Sequence, residues 1–347
     1  MMASSPHFFR LTSVSRIMLT VLAALLPGTA VAVWLFGCAV LLQIGLATTT
    51  ALAAEALVLR WRGLPVRPYL ADGSAVVTAW LIALAFPPLG VWWLVVVGTL
   101  FAIVVAKHLY GGLGNNPFNP AMVAYALMIV SFPAQMSQWA APLLSLDSLQ
   151  QLQWVFWREL PTGMALDAIS SATPLDYLKT QLMNGQTVPQ LLADSTHFSV
   201  LAGVGVEWLA VAWLLGGLFL LQQRIMTWHA PVALLLAVAA LSGVMHLIDP
   251  LRYAPPVVHL FSGATMFAAW FIVTDPVSGS TTPKGKLIFA AGVGILLYVI
   301  RVWGSFPDGV AFAVLIMNIA VPFIDRYTRP PVFGQQHKKI TTKAAKS

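Results

Sequence analysis

Residues 167–173, with the sequence DAISSAT, form a short polar stretch in an otherwise strongly apolar chain. The stretch ends at Thr173, whose hydroxyl has the chemistry to carry a phosphoester. Pro174 and Asp176 follow, and this order favours Thr173 as the N-cap of a helix that ends near Asn184 and Gly185. A phosphoester is compatible with that cap, because helix N-termini favour phosphate. Asp176 would partly oppose it, and Pro174 removes one donor.

Three acidic residues are candidates for an ion path. Glu55 lies in the middle of an apolar segment, where an unpaired carboxylate costs a few kcal/mol. The alternatives to an ion path are a partner on a neighbouring helix or snorkelling to the membrane surface. Asp275 and Asp308 lie at segment ends, where each also fits a helix cap. Lys107 and His108 end an apolar segment, so we expect them to snorkel to the surface.

The composition indicates a membrane protein. Of 347 residues, 59% are hydrophobic and only 9% charged, against roughly 25% charged in soluble domains. The single cysteine, Cys38, excludes an internal disulfide and an iron–sulfur cluster held by this chain alone. The seven histidines show no metal-ligand spacing. The lipid bilayer is the expected surrounding, and nucleic acid is excluded as a partner.

The apolar runs predict an all-α polytopic membrane protein with about ten transmembrane helices. The third and fifth runs are short and flanked by proline or glycine, as expected of broken helices buried in a bundle. The predicted spans are residues 17–36, 39–59, 73–87, 89–109, 117–133, 204–222, 230–248, 257–274, 286–302 and 307–325.

Basic residues predict the orientation of these spans. With a cytoplasmic N-terminus, fifteen of the nineteen lysines and arginines, including Arg10 and Arg16, fall on the cytoplasmic side. The C-terminus is then also cytoplasmic, and residues 134–203 lie outside. The N-terminal segment of the chain also resembles a secretory signal peptide, with AVA at residues 30–32 as a cleavage-like site. Because further spans follow at once, we favour a first membrane span.

The two halves of the chain resemble each other. The pattern Gly73…Ala-Trp-Leu-Ile at 79–82 returns as Gly263…Ala-Trp-Phe-Ile at 269–272, a constant offset of 190 positions. Five spans in each half make equivalent helices run in opposite directions, which is an inverted repeat. The predicted organisation is a first membrane repeat (1–133), an outer segment (134–203), a second repeat (204–325) and a basic cytoplasmic tail (326–347).

The outer segment is predicted to carry one further helix. Leucines and a phenylalanine recur at helical spacing between residues 146 and 160, which indicates an amphipathic helix. It either lies on the outer membrane surface or packs on the helix bundle, and the sequence does not separate these two arrangements.

Several ordered motifs together resemble a known family, the RnfD proteins of the Rnf (Rsx) electron transport complexes, with their relatives, the NqrB proteins of the sodium-pumping NADH:quinone oxidoreductase. The resemblance covers nearly the whole chain. The motifs are SRIML at 15–19, LYGGLG at 109–114, NPFNPAM at 116–122, ISSATPLD at 169–176, SGATM at 262–266, TDPV at 274–277 and FPDGVAFAVL at 306–315.

The resemblance implies a redox role. In that family the corresponding threonine carries covalent FMN through a phosphoester, attached by a flavin transferase; here it is Thr173, with Asp167, Ser170 and Ala172 as recognition residues. It also implies a second, non-covalent flavin, riboflavin or FMN, whose position the sequence does not give. The chain would be one subunit, not catalytic alone, of a bacterial inner-membrane complex with iron–sulfur and flavin subunits, relaying electrons between ferredoxin and NAD and moving Na⁺ or H⁺.

Two alternatives remain at this stage. Thr265, in the SGAT string, is a rival attachment residue, but it begins an apolar span and lacks an acid three residues before its serine. We therefore favour Thr173. The second alternative concerns the whole protein: inverted repeats with broken helices are also typical of solute channels and transporters, which need no redox cofactor.

Overall fold

A computed structural model describes residues 13–143, 146–195, 197–199, 201–306 and 308–329. Arg10 and the tail residues 330–347 lie outside the described part of the chain. The helices before the outer segment are α1 (Val14–Phe36), α2 (Ala39–Trp61), α3 (Val66–Leu70), α4 (Ser74–Ala85), α5 (Trp92–Phe101), which continues as a π-helix (Ala102–His108), and α6 (Pro120–Ser131).

The remaining helices follow the same pattern of long and broken elements. The outer segment contains α7 (Pro133–Met136), α8 (Ser148–Trp157), a 3₁₀ turn (Leu166–Ala168), α9 (Pro174–Met183) and α10 (Val188–Leu192). The second half contains α11 (Val206–Gln222), α12 (His229–Ile248), α13 (Pro256–Phe261), α14 (Thr265–Phe267), which continues as a π-helix (Ala268–Ile272), α15 (Pro283–Trp303) and α16 (Val310–Thr328).

These elements confirm the all-α polytopic membrane fold. Five helices, α1, α2, α12, α15 and α16, are long and apolar enough to cross a membrane. Shorter apolar helices, together with the broken α13–α14 element, occupy the other five predicted spans. The twelve residues of α4 or α6 cover only about 18 Å, less than the roughly 30 Å of a bilayer core. Such helices need protein around their ends.

The third span of each half is broken in the same way. The short helices α3 and α13 begin at Val66 and Pro256, 190 positions apart. Each is followed by a glycine in a left-handed conformation, Gly73 with φ +79° and Gly263 with φ +65°, before the next helix starts. A left-handed residue reverses the local path of the chain, and glycine adopts it without the Cβ clash of other residues. The offset read from the sequence is therefore also an offset between structural elements.

The first helices of the two halves, α1 and α11, pack closely through small residues. A Cβ on Gly28 would lie 2.0 Å from the ring of Trp213, and one on Gly216 would lie 2.1 Å from the carbonyl oxygen of Ala24. Helices that meet inside a bilayer associate through such close backbone approach. α1 runs without a break through residues 30–32 and forms part of the buried core.

The predicted amphipathic helix of the outer segment corresponds to α8, which packs on the bundle. Gln151, 3% exposed, accepts a hydrogen bond from the backbone N–H of Ala39 at 2.9 Å and donates one to the carbonyl of Leu146. Trp154 and Val155 are buried beside it. These contacts fix α8 against the start of α2, so the packed arrangement is the correct alternative.

Candidate functional site

The DAISSAT segment begins in the 3₁₀ turn and then pairs with residues 139–141 through a single antiparallel bridge between Ala140 and Ser170. The N–H of Ala141 donates to the carbonyl of Ile169 at 3.0 Å, and the N–H of Ser171 donates to that of Trp139 at 3.1 Å. Ile169, 1% exposed, anchors the segment in the core. Asp167 and Ala172 are exposed, and Ser170 is half-buried with its hydroxyl donating to the carbonyl of Leu166. The chain thus holds the segment by its backbone and one apolar side chain.

Thr173 is the N-cap of α9, as the sequence predicts. Its backbone is extended (φ −63°, ψ 155°), and its hydroxyl oxygen accepts a hydrogen bond from the N–H of Asp176 at 3.3 Å. The helix ends at Met183, and Gly185 follows with φ +86°. The residue is half-buried, and its hydroxyl meets only this one long hydrogen bond in the part of the chain that the structure describes.

The rival threonine has a different environment. Thr265 is fully buried, its hydroxyl donates to the carbonyl of His259 at 2.7 Å, and the Nη2 of Arg301 donates to it at 2.7 Å. Both hydrogen-bonding directions of this hydroxyl are therefore used inside the bundle. A soluble enzyme has no route to an oxygen in this position.

Lys179 connects α9 to the end of α15. Its ammonium group donates to the carbonyls of Arg301 at 3.2 Å, Phe306 at 3.3 Å and Gly304. A cation at a helix C-terminus satisfies carbonyls that have no partner within the helix. Burial lowers the pKa of the Lys179 ammonium, and the Asp176 carboxylate acts in the opposite direction. The helix that carries Thr173 is thereby attached to the membrane bundle.

Glu55 forms a buried ion pair inside the first half. Its Oε1 accepts hydrogen bonds from Lys107 Nζ at 2.6 Å and from His108 Nε2 at 3.0 Å. Lys107 also donates to the hydroxyl of Ser74 at 2.8 Å. The exposed fractions are 1% for Glu55, 3% for Lys107 and 6% for His108. The carboxylate is therefore paired with donors on a neighbouring helix, which is one of the two alternatives raised from the sequence.

The expectation that Lys107 and His108 snorkel to the membrane surface is wrong. Both are buried, because they lie in the π-helical stretch that continues α5. The N–H of Leu109 bonds to the carbonyl of Val104 at 3.1 Å, the i to i+5 pattern of a π-helix. This extra residue per turn changes the face of the helix on which the two basic side chains project, and here both reach Glu55.

Asp308 belongs to a second charged cluster, around Arg301. Arg301, 4% exposed, donates from Nη1 to the carbonyl of His259 at 2.7 Å and from Nη2 to Asp308 at 3.3 Å. The Oδ2 of Asp308 also accepts the N–H of Ala264 at 2.6 Å. Asp308 thus bonds the start of the broken eighth span. It does not cap α16, the helix that it precedes and for which the sequence suggested a cap, because the N-cap there is Gly309 with no side-chain hydrogen bond. The sequence did not single out Arg301, although an arginine inside an apolar run is a visible signal.

Asp275 stands apart from the other two acids. Its carboxylate accepts the hydroxyl of Ser278 at 2.7 Å and the N–H of Val277 at 3.1 Å, which is a local turn after the π-helix. Each of the three acids has its own set of partners. The structure does not assemble them into one site.

Comparison with known proteins identifies relatives over the full length. The model of the NQR2, RnfD, RnfE family matches residues 1–334. Proteins from Salmonella heidelberg strain SL476, Salmonella choleraesuis strain SC-B67 and Salmonella typhimurium strain LT2 are each 49% identical to the chain. Each match covers 97% of this chain and 98% of the relative. All three are named as the D-type component of an ion-translocating oxidoreductase complex.

Proposed function

The chain belongs to the NQR2, RnfD, RnfE family, and on that basis we propose that it is a membrane subunit of a redox-driven, ion-translocating oxidoreductase complex. The Salmonella relatives bear the name of such a subunit. We further propose that the chain carries FMN as a phosphoester on Thr173. The observation that supports this most directly is the half-buried position of Thr173 at the start of α9, in contrast to the fully buried Thr265.

The residues around Thr173 fit a phosphoester. α9 has ten residues, so its N-terminal N–H groups and dipole favour a phosphate there. The N–H of Asp176 already points at the threonine oxygen. Asp167 and Ala172 are exposed on the same segment, where a flavin transferase recognising them and Ser170 has access. Bound FMN would supply electron transfer, and the single cysteine, Cys38, leaves the chain no pair of thiols for redox chemistry of its own.

In this proposal the chain works within a larger assembly in the bacterial inner membrane. Partner subunits with iron–sulfur clusters and another flavin exchange electrons with ferredoxin and NAD, and a second, non-covalent flavin resides in this chain. The N- and C-termini face the cytoplasm and Thr173 the outer side, as the basic residues predict. The chain alone holds no complete catalytic site.

The ion path is proposed to involve Glu55, Asp275 and Asp308, for either Na⁺ or H⁺. A two-electron drop of about 100 mV releases roughly 4.6 kcal/mol, whereas moving one charge against 100 mV costs about 2.3 kcal/mol. One such redox step therefore supplies enough free energy to move at most about two charges across the membrane. Glu55 is the strongest candidate, because it lies within a span and its Oε2 has no hydrogen-bond partner among the described residues.

The competing function is a solute channel or transporter, which the inverted repeat and broken helices also fit. The discriminating measurement is flavin fluorescence of the denatured chain in a gel, after expression with its flavin transferase. The wild-type band is expected to fluoresce and the Thr173→Ala band to be dark. Thr180→Ala, which alters an exposed threonine of the same helix, is the matched control and is expected to fluoresce fully.

Two results would contradict the proposal. A dark wild-type band, from a preparation in which a known flavinylated protein fluoresces, would favour the transporter. A fluorescent Thr173→Ala band that becomes dark in Thr265→Ala would move the attachment site to the buried threonine.

A further inference from the structure

A cavity of about 430 Å³ lies between α9, the turn after α12 and the end of α15. Its floor is buried and includes Leu178, His259 and Arg301, whereas its mouth is exposed and includes Arg252 and Trp303. This volume is within the range of sites for small molecules and cofactors, roughly 300–1,000 Å³.

The polar groups of this cavity suit a ligand rich in hydrogen-bond acceptors. Lys179, Arg252 and Arg301 line it, and no acidic side chain of the described residues does. Two buried nitrogens on the floor, Nδ1 of His259 and Nε of Arg301, have no hydrogen-bond partner in the described part of the chain. These two nitrogens have almost no accessible surface, so a ligand in the cavity meets other atoms of His259 and Arg301.

The remaining lining suits a flat aromatic ring. The rings of Tyr253 and Trp303 lie at the cavity with centroids 6.3 Å apart. Apolar side chains of α9 complete the wall, and they recur at helical spacing: Leu175, Leu178, Leu182 and Met183. Sites for cofactors combine such apolar and aromatic walls with a few placed polar groups.

The cavity also lies along the helix that begins at Thr173. Lys179 and Met183 lie six and ten residues after Thr173, which is about 9 Å and about 15 Å along the helix axis. A group bound to the Thr173 hydroxyl through a flexible chain therefore has the cavity beside it. A lipid headgroup or a free quinone has no comparable connection to this position.

We propose that this cavity holds the isoalloxazine ring of the FMN carried by Thr173, an inference that rests on the function proposed above. The ring is flat and aromatic, with carbonyl and imine acceptors along one edge and methyl groups at the other. The acceptor edge suits the positively charged part of the lining, formed by Lys179, Arg252 and Arg301, and the methylated edge matches the leucines. Positive charge beside a flavin favours the negative charge that the ring gains on reduction, so the cavity also raises the midpoint potential of this flavin.

The test compares flavin fluorescence of the native, full-length chain in detergent after expression with its transferase. Signal from the covalent flavin is isolated by subtracting the signal of Thr173→Ala, and covalent loading is measured in a denaturing gel. A tryptophan beside an isoalloxazine ring quenches its fluorescence. Trp303→Leu is therefore expected to raise native fluorescence severalfold at unchanged loading. Trp157→Leu, at an exposed tryptophan of α8 outside the cavity, is the matched control and is expected to leave it unchanged.

A second measurement uses the midpoint potential of the covalent flavin. Arg252→Gln removes an exposed positive charge at the cavity mouth and is expected to shift the potential to more negative values. Arg224→Gln, at an exposed arginine outside the cavity, is expected to leave the midpoint potential unchanged. Because both arginines are exposed, neither variant threatens folding.

The outcomes separate this inference from the function on which it rests. A fully loaded Trp303→Leu protein with wild-type native fluorescence, together with an unshifted potential in Arg252→Gln, would place the ring elsewhere and overturn the inference alone. An equal rise in Trp157→Leu would do the same, in favour of a site near α8. A wild-type chain without covalent flavin would overturn the proposed function itself.

Discussion

Lys107 and Arg301 lie 194 positions apart, about one helical turn from the repeat offset of 190. They play a similar part in the two halves with different chemistry. Each is a buried cation near the end of its half's fourth span, and each contacts the start of the helix that follows the left-handed glycine, through Ser74 in one half and Thr265 in the other. Arg301 lies on the face of the bundle that carries the outer segment. Lys107 lies at the far end of its span from Trp92, whose ring stacks on Phe156 of the outer segment, as the predicted inverted repeat requires.

The difference between the two clusters lies in what neutralises the cation. Lys107 faces the Glu55 carboxylate, 1% exposed, in the middle of a helix. Arg301 mainly holds backbone carbonyls of a broken helix, and its acid Asp308 has a side chain 22% exposed. A compact ammonium suits one close carboxylate, and a planar guanidinium suits several acceptors at once. The first cluster is therefore a buried charge pair, and the second is a clamp on the backbone.

The sharpest test of this difference is neutralisation of the acid in each cluster. Glu55→Gln leaves the Lys107 charge buried without its counter-charge, and breaking a buried pair in this way costs about 3–5 kcal/mol. Asp308→Asn keeps an acceptor for Ala264 and leaves Arg301 its carbonyl partners, so we expect a loss of about 1 kcal/mol. Thermal unfolding midpoints in detergent, monitored by size-exclusion chromatography, measure the stability loss of each variant.

A double variant controls for the size of the glutamate effect. Glu55→Leu with Lys107→Met removes both charges, and paired removal is often neutral or stabilising. We therefore expect its unfolding midpoint to be well above that of Glu55→Gln. If Asp308→Asn were as damaging as Glu55→Gln, the distinction between charge pair and clamp would be lost.

The second test compares the two left-handed glycines. Gly73→Ala forces a left-handed alanine, at about 1–2 kcal/mol, with only the Cβ of Met18 nearby at 3.3 Å. At Gly263 the added Cβ would also lie 2.5 Å from Asp308 Oδ2 and 2.7 Å from Leu175. Crowding of this kind adds roughly 1–3 kcal/mol. We expect Gly263→Ala to unfold at a clearly lower temperature than Gly73→Ala. Equal midpoints would show that an added Cβ is no more crowded at Gly263 than at Gly73.

Substitution of the second cation tests the clamp itself. Arg301→Lys keeps the charge but loses the planar fork that reaches the carbonyl of His259 and the hydroxyl of Thr265 together. At least one buried acceptor then loses its donor, at about 1–3 kcal/mol. The same midpoint measurement applies, with Lys284→Arg, at an exposed lysine, as control. A stability equal to wild type would mean that the positive charge alone, and not the planar guanidinium, stabilises the broken eighth span.

These clusters also mark where sequence reasoning succeeded and where it stopped. The spans, the Thr173 cap and the offset between Gly73 and Gly263 follow from periodicity and local capping chemistry, which sequence records directly. The burial of Lys107 does not, because it depends on a π-helical stretch that turns the side chain toward α2. Local sequence carries no rule for such a register change, which arises from packing against neighbouring helices.

The packing of α8 and the partners of Arg301 were hidden for the same reason. A helix on the membrane surface and a helix on the bundle have the same periodicity. Contacts that the sequence does not record, such as that of Gln151 with Ala39, separate them. The sequence also predicted a fifth span from residue 117, whereas α6 begins at Pro120. Asn119 accounts for the difference, because its side chain caps that helix by accepting the N–H groups of Ala121 and Met122.

The smallest expected effect is that of Thr173→Ala on the stability of the chain without flavin. The variant loses one N-cap hydrogen bond of 3.3 Å, at about 1 kcal/mol. α9 stays attached to the end of α15 through Lys179, which donates hydrogen bonds to the carbonyls of Arg301 and Phe306. We therefore expect an unfolding midpoint only slightly below that of the unflavinylated wild type, with Thr173→Ser close to wild type because serine caps equally well. A large drop would mean that the cap, and not the clamp, holds α9 in place, and a dark band in the gel would then report unfolding instead of a lost attachment point.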